Sequence, residues 1–331
     1  MEERARRKPL FNRSAVRLGA KFRITRRSIV QGEQRPKMSV CDEAFRQADT
    51  HAALAGDRED ASPATRSGLA VRCLGPLRVS VDGLDRGPLS NRRARSVFKY
   101  LLMHRGRPTA KERLMDLLWP EVAPAAARNN LNAALYCLRR YLGRDDTPAR
   151  YVVYRRDGYE LDPALPVWLD LDEFLDRAAT ALACRTGDPL DELQQLTAAE
   201  AIYGGPLFDD DPYEEWTFGP RRVVLDRYVE VLDGLARRHR DIGELRRSAA
   251  ATRKILDVQP AHETAHRRLM STYAQLGQHH LAMRQFQDCI DVLRNELELA
   301  PAPETVALYR RIRARRSAQA PTTKGSLRAR E

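Results

Sequence analysis

The sequence predicts a mainly α-helical protein: a small α+β module over residues 70–164, followed by an all-α array of short antiparallel helices over residues 165–315. Three observations carry this. Between Leu74 and Leu161 the apolar period changes from two residues to about 3.6 and back again. After Trp168 every apolar pattern is helical. The charge divides along the same lines: residues 70–162 hold 18 Lys+Arg against 10 Asp+Glu, and residues 163–309 hold 16 against 25.

The first module begins with alternation. Leu77, Val79 and Val81 face one way and Arg78, Ser80 and Asp82 the other, which predicts a half-buried strand ending at the turn pair Asp82-Gly83. Ala94, Val97, Phe98, Leu101 and Leu102 then fall on one helical face. Ser90 or Asn91 is placed to cap that helix and Gly106 to end it. Thr109-Ala110-Lys111-Glu112 has the form of a capping box and predicts a second short helix, with Leu114, Leu117 and Leu118 inward, closed by Trp119-Pro120. A third helix is predicted from about Ala125 to Leu142, with Gly143 as its stop. Tyr151–Tyr154 and Tyr159–Leu161 flank Arg155-Arg156-Asp157-Gly158, a hairpin with an Asp-Gly turn. Strands, three helices and a hairpin in this order make a winged helix-turn-helix.

The second module repeats helical stripes: Phe174/Ala178/Leu182, Leu193/Leu196/Ala199, Val224/Tyr228/Val231/Leu235, Leu245/Ala249/Thr252/Leu256, Leu269/Tyr273/Leu276 and Ala282/Phe286/Leu293. Asp241-Ile242-Gly243 and Leu276-Gly277-Gln278 separate some of them. Pro260-Ala261-His262-Glu263-Thr264 is echoed 41 residues later by Pro301-Ala302-Pro303-Glu304-Thr305. Short antiparallel helices with such a period predict a tetratricopeptide-like array. Residues 1–69 read as a basic, mostly disordered extension and linker, and residues 316–331 as a basic disordered tail.

The 331 residues carry a net charge of +12. No apolar run reaches the ~20 residues of a membrane span. The five cysteines are scattered with no CxxC pair, which predicts a reduced, cytoplasmic protein rather than a disulfide framework or zinc ribbon. No GxxxxGK[ST] is present, which argues against a P-loop ATPase module. The 69 residues ahead of the winged helix are expected to be too few for a phospho-receiver domain.

The third helix carries the functional argument. Leu131, Leu135, Leu138 and Leu142 form one stripe. Asn129, Ala133, Tyr136 and Arg140 lie opposite, flanked by Asn132 and Arg139, with Arg128 near the start. Arg pairs with guanine O6/N7 and Asn with adenine N6/N7, so Arg128, Asn129, Asn132, Tyr136, Arg139 and Arg140 are expected to face a DNA major groove. Arg155 and Arg156 at the hairpin tip, and Arg92 and Arg93 at the start of the first helix, are expected to hold phosphates or reach a minor groove. The bland alternative is a solvated polar face. A different class of protein would also fit: a helical-repeat adaptor whose basic module meets an acidic partner or RNA.

These residues support a resemblance. Arg128-Asn129-Asn130-Leu131-Asn132-Ala133-Ala134-Leu135 with Leu138-Arg139-Arg140-Tyr141-Leu142 resembles the recognition-helix segment of the Streptomyces antibiotic regulatory proteins. Leu117-Leu118-Trp119-Pro120 and Gly158-Tyr159-Glu160-Leu161 are similar to the second helix and wing of their OmpR/PhoB-type winged helix. Tyr203-Gly204-Gly205-Pro206-Leu207, Trp216 with Arg221-Arg222, Ala265–Met270 and Pro303-Glu304-Thr305 resemble the bacterial transcriptional activator domain that follows it. The resemblance implies a transcriptional activator, often of a biosynthetic gene cluster. It would bind direct repeats beside a promoter as side-by-side protomers and contact RNA polymerase, with the turn Trp119–Pro124 as a polymerase-facing loop.

No cofactor, metal or enzymatic activity is expected. His262-Glu263-Thr264-Ala265-His266 is a literal HExxH, the pattern of zinc proteases. The repeat at Pro301 accounts for Glu263-Thr264, however, and no third ligand is identifiable. His266 is read as a packing residue. Trp119, Trp168 and Trp216 are expected in the core, and Asp209-Asp210-Asp211 as a solvated loop.

Overall fold

The computed structural model describes residues 68–143, 151–183 and 189–319, with side chains as far as Arg315. Apart from Gly68 and Leu69, the extension predicted over residues 1–69 lies outside the described residues, as do Cys41 and Cys184.

The chain enters through β1 (Leu69–Arg72) and returns antiparallel as β2 (Arg78–Val81), then β3 (Leu84–Asp85). Asp82 and Gly83, both at positive φ, make the turn predicted for them. Strand β1 was not legible in advance, because four residues beside a Ser/Pro/Gly stretch show no period. Its outer edge is covered in parallel by β7 (Val167–Leu169), from beyond the hairpin, so the sheet runs β3-β2-β1-β7. Trp168, expected in the core, therefore lies in a strand and is half-buried.

Helix α1 (Arg92–Met103) starts at Asn91, whose side chain accepts from the Ala94 amide at 2.9 Å. The predicted capping box at Thr109 does not form. Thr109–Ala110 is a strand, β4, paired with Tyr159 and Gly158, and α2 (Lys111–Leu118) begins after it without a side-chain cap. Thr109 is buried and paired with Tyr159 in the sheet instead. Helix α3 (Pro124–Leu142) ends at Gly143 as expected. The wing is β5 (Val152–Arg155) and β6 (Gly158–Leu161), and β6 lies between β4 and β5.

The helical part consists of α4 (Asp170–Ala183), α5 (Pro189–Ile202), α6 (Phe218–Asp241), α7 (Leu245–Val258), α8 (Glu263–Gln275), α9 (His279–Val292) and α10 (Pro303–Gln319). Gly243 and Gly277, at positive φ, close the predicted turns. Helix α10 continues past residue 315, where a disordered tail was expected to begin.

One apolar core runs from β1 through α1, α3 and α4 to α6 and α7 without a break. A smaller cluster of Met270, Ala282 and Ile312, with Phe286 stacked on Tyr309 at 4.2 Å, joins α8, α9 and α10. Three polar devices tie the winged helix to the helical part. The buried carboxylate of Asp170 accepts from the amides of Cys73 (2.8 Å) and Leu74 (3.1 Å) and from the Cys73 thiol. Burial pushes the Asp170 carboxyl up while these donors pull it back, and burial with the neighbouring Asp170 pushes the Cys73 thiol up. Next, Leu207 bridges to Leu74 and Gly75, and the Phe208 amide donates to the Cys73 carbonyl at 2.8 Å. Gly204 permits this approach, because a Cβ there would stand 2.8 Å from the Leu74 carbonyl oxygen.

The third device overturns an expectation. In the run read as a solvated loop, Asp209 and Asp210 are exposed, but Asp211 is buried. The ammonium of Lys99, wholly buried on α1, lies 2.6 Å from Asp211 and 2.8 Å from Asp210, and Arg95 grips Asp211 with two donors at 2.8 and 2.9 Å. A buried cation requires opposite charge at contact distance, and this acidic run supplies it. Burial raises the Asp211 carboxyl, but Arg95 and Lys99 outweigh that and hold it below its ordinary value. Ser96 adds a 2.8 Å hydrogen bond to Glu214. Arg221 braces the loop by donating to the carbonyls of Leu207, Phe208, Asp211 and Pro212.

The HExxH stretch is structural. His262 stands outside α8 as its N-cap, accepting from the Ala265 amide, so the two histidines do not share a helical face. Buried His266 bridges the Pro260 carbonyl and the Gln285 side chain. Glu263 accepts from the Ala302 amide and the Thr305 hydroxyl, which brings the two echoed segments into contact.

Candidate nucleic-acid interface

Helix α3 owes its orientation to its leucines. Leu131, Leu135, Leu138 and Leu142, with Ala127 and Ala134, are at most 2% exposed. The opposite face must then point outward, and Arg128, Asn129, Asn132, Ala133, Tyr136 and Arg140 are all exposed. Tyr136 is 60% exposed, far more than an aromatic with only a packing role needs. From Asn129 to Arg140 the face spans roughly 16 Å at ~1.5 Å per residue. That is about five base pairs at ~3.4 Å each.

Arg139 differs from its neighbours. It is half-buried, and its Nε donates to the Val152 carbonyl at 3.2 Å, tying the helix to the first wing strand. Two residues earlier, the Asn91 amide reaches the Cys137 sulfur at 3.6 Å, so the cap of α1 also touches α3.

The wing departs from the expected turn. Arg155 pairs with Gly158, so the two turn residues are Arg156 and Asp157, at φ 49° and 60°. That is the I′-type backbone suited to a two-residue hairpin. Gly158 is needed for another reason: a Cβ there would stand 2.8 Å from the backbone of Thr109 on β4. Arg156 is left at the exposed tip, and Arg155 lies 3.6 Å from Asp162. Tyr154 is exposed and packs edge-on to Tyr159 at 5.0 Å. At the start of α1, Arg92 and Arg93 are exposed, and the Arg93 guanidinium sits 5.6 Å over the ring of buried Trp119.

Two residues that hold this surface in place were not legible beforehand. Arg86 donates through Nε to the Tyr141 carbonyl at 3.1 Å, and the Tyr141 hydroxyl donates to the Gly87 carbonyl at 2.6 Å. Burial, with Asp85 adding and Arg86 opposing, pushes the Tyr141 phenol up to about 12. The partners are 54 and 55 residues apart, beyond the reach of any local pattern.

Comparison with known proteins bears on this geometry. Residues 169–313 match the bacterial transcriptional activator domain. The transcriptional regulatory protein MoaR1 of Mycobacterium bovis is 25% identical over 257 residues, which cover 75% of this chain and 80% of that protein. The regulatory protein AfsR of Streptomyces griseus is 26% identical over 268 residues, 77% of this chain but only 26% of AfsR. Residues 169–313 thus carry a bacterial transcriptional activator domain, and over about three quarters of its length the chain is similar to transcriptional regulators. The chain has the predicted architecture, a winged helix followed by a helical domain. In fold it is similar to Mycobacterium tuberculosis EmbR, solved in complex with a low affinity phosphopeptide, with a TM-score of 0.61 at 23% identity over 76% of this chain and 66% of that one. Among the described residues no helix is long and apolar enough to cross a membrane, and no group of side chains could hold a metal ion.

Proposed function

We propose that this protein is a sequence-specific DNA-binding activator of a biosynthetic gene cluster. The observation that carries the reading is the exposed Arg, Asn and Tyr face of α3, set opposite its buried leucines and beside an Arg-tipped wing. Arg128, Asn129, Asn132, Tyr136 and Arg140 read base edges in a major groove, with Arg139 at the margin of the same face. Arg155 and Arg156 approach the backbone or the adjacent minor groove from the wing, and Arg92 and Arg93 hold phosphate at the start of α1. Two protomers bind direct repeats side by side in the cytoplasm. The exposed turn after Trp119 meets RNA polymerase. The winged helix over residues 70–164 reads the DNA, and the helical domain over residues 165–315 supports the protomer contact.

The test is capture of sequenced genomic fragments by the purified full chain at near-physiological salt. Enrichment of a few promoters sharing a repeated short sequence is the expected outcome. Uniform recovery would make the basic face a general electrostatic surface. Recovery of acidic protein or RNA in preference to duplex DNA would favour an adaptor role.

A further inference from the structure

The α3 helix is held at its C-terminal end from two sides. Its last four carbonyls have no partner within the helix, and Tyr141 carries one of them. Arg86 supplies a donor to that carbonyl at 3.1 Å and a positive charge to the negative end of the helix dipole. Arg86 is itself fixed to the N-terminal sheet, because its amide donates to the Val79 carbonyl at 3.0 Å. The Tyr141 hydroxyl makes a return bond to Gly87 at 2.6 Å. On the other side Arg139 ties the same turn of helix to the wing at Val152. The sheet, the recognition helix and the wing thus meet at one turn of the helix end.

We infer that Arg86, Tyr141 and Arg139 are positioning residues for sequence discrimination, fixing the angle of α3 relative to the wing without reading bases themselves. This rests on the DNA-binding reading above. Base recognition by bidentate pairs tolerates little angular error, whereas phosphate contacts tolerate more. Loosening the clamp therefore lowers discrimination before it lowers general affinity. Arg139, half-buried and bonded to the Val152 carbonyl, aims the base-reading residues from the margin of their face.

The experiment uses full-length Y141F, R86M and R139M, with the duplex most enriched by the wild-type chain and a scrambled duplex of equal length. Binding is measured across a salt series, and a circular dichroism melt checks folding. The expected result is a fall in the ratio of preferred to scrambled affinity of about tenfold, with scrambled affinity and salt slope unchanged. Y141F deletes one oxygen and serves where R86M fails to fold. An unchanged ratio in folded Y141F overturns the inference. So does a salt slope in R139M lower by about one, which marks a phosphate contact instead. A wild-type chain with no preferred duplex overturns the DNA-binding reading as well, so the two failures are distinguishable.

Discussion

Replacing Asp211 by asparagine tests whether the buried ion cluster is what fastens the winged helix to the helical domain. Asp211 faces Lys99 at 2.6 Å and Arg95 at 2.8 Å. Asparagine keeps the volume but removes the charge opposite two cations. One of them is wholly buried, so its amine loses half of its compensation. Breaking a buried pair from one side costs about 3–5 kcal/mol. Asp210 stays 2.8 Å from Lys99, which places D211N near the lower end, about 3 kcal/mol. The contribution also has a pH signature. Because the folded-state pKa of Asp211 is depressed, its stabilisation is complete above the ordinary value of 3.8 and is lost as pH falls through the lower folded value. D211N lacks that part of the acid-side decline. Urea unfolding followed by circular dichroism and by the fluorescence of the three tryptophans, Trp119, Trp168 and Trp216, measures both effects. Because one core spans the winged helix and the first helices of the helical part, these are expected to unfold in a single transition by both probes. A D211N cost below about 1 kcal/mol, or an unchanged acid-side profile, would refute the argument, since the cluster would then be solvated in practice.

Other outcomes are expected from the same structure. G158A forces a Cβ against the Thr109 backbone, so it should destabilise by about 1–3 kcal/mol and speed hydrogen exchange at Ala110 and Tyr159. R221K keeps the charge but not the fork that serves four carbonyls, and a loss of about 2 kcal/mol with faster proteolysis between Asp209 and Glu214 is expected. H266A leaves the Pro260 carbonyl and Gln285 without their buried partner, a loss of about 1–3 kcal/mol in a urea melt. R140A should weaken binding to the preferred duplex by about 1–3 kcal/mol if the arginine reads a base, or lower the salt slope by about one if it holds phosphate.

What could be read in the sequence was what depends on neighbours along the chain. The leucine stripe of α3 repeats every three or four residues, and its buried side follows from the period alone. Asn91, Gly143, Gly243 and Gly277 act within a turn of where they sit. The misreadings share another character. Asp211 looks solvated until Lys99, 112 residues away, is brought to it. The same distance disguised the aspartate run as a loop. Strands β1 and β7, of four and three residues, are strands because they pair with each other, and neither has length enough to show a period. At Gly158 the residue type was noticed but its cause was not. A glycine needed for close approach to β4 has the same local appearance as one needed for a turn. Of the surface on α3, the outward residues were legible. The double duty of Arg139 was not, because its acceptor is a main-chain carbonyl that no side-chain pattern reveals.

Strand β7 has a consequence for how such proteins can be recombined. It leads directly into α4, yet it completes the sheet of the winged helix, and the next residue, Asp170, secures Cys73 and Leu74. The winged-helix half thus borrows its last strand and a buried anchor from the other half. A helical domain exchanged between relatives must bring its own β7 and an acceptor at the position of Asp170. A gene fragment cut at residue 164 would leave β1 as a bare edge, open to pairing with a second copy.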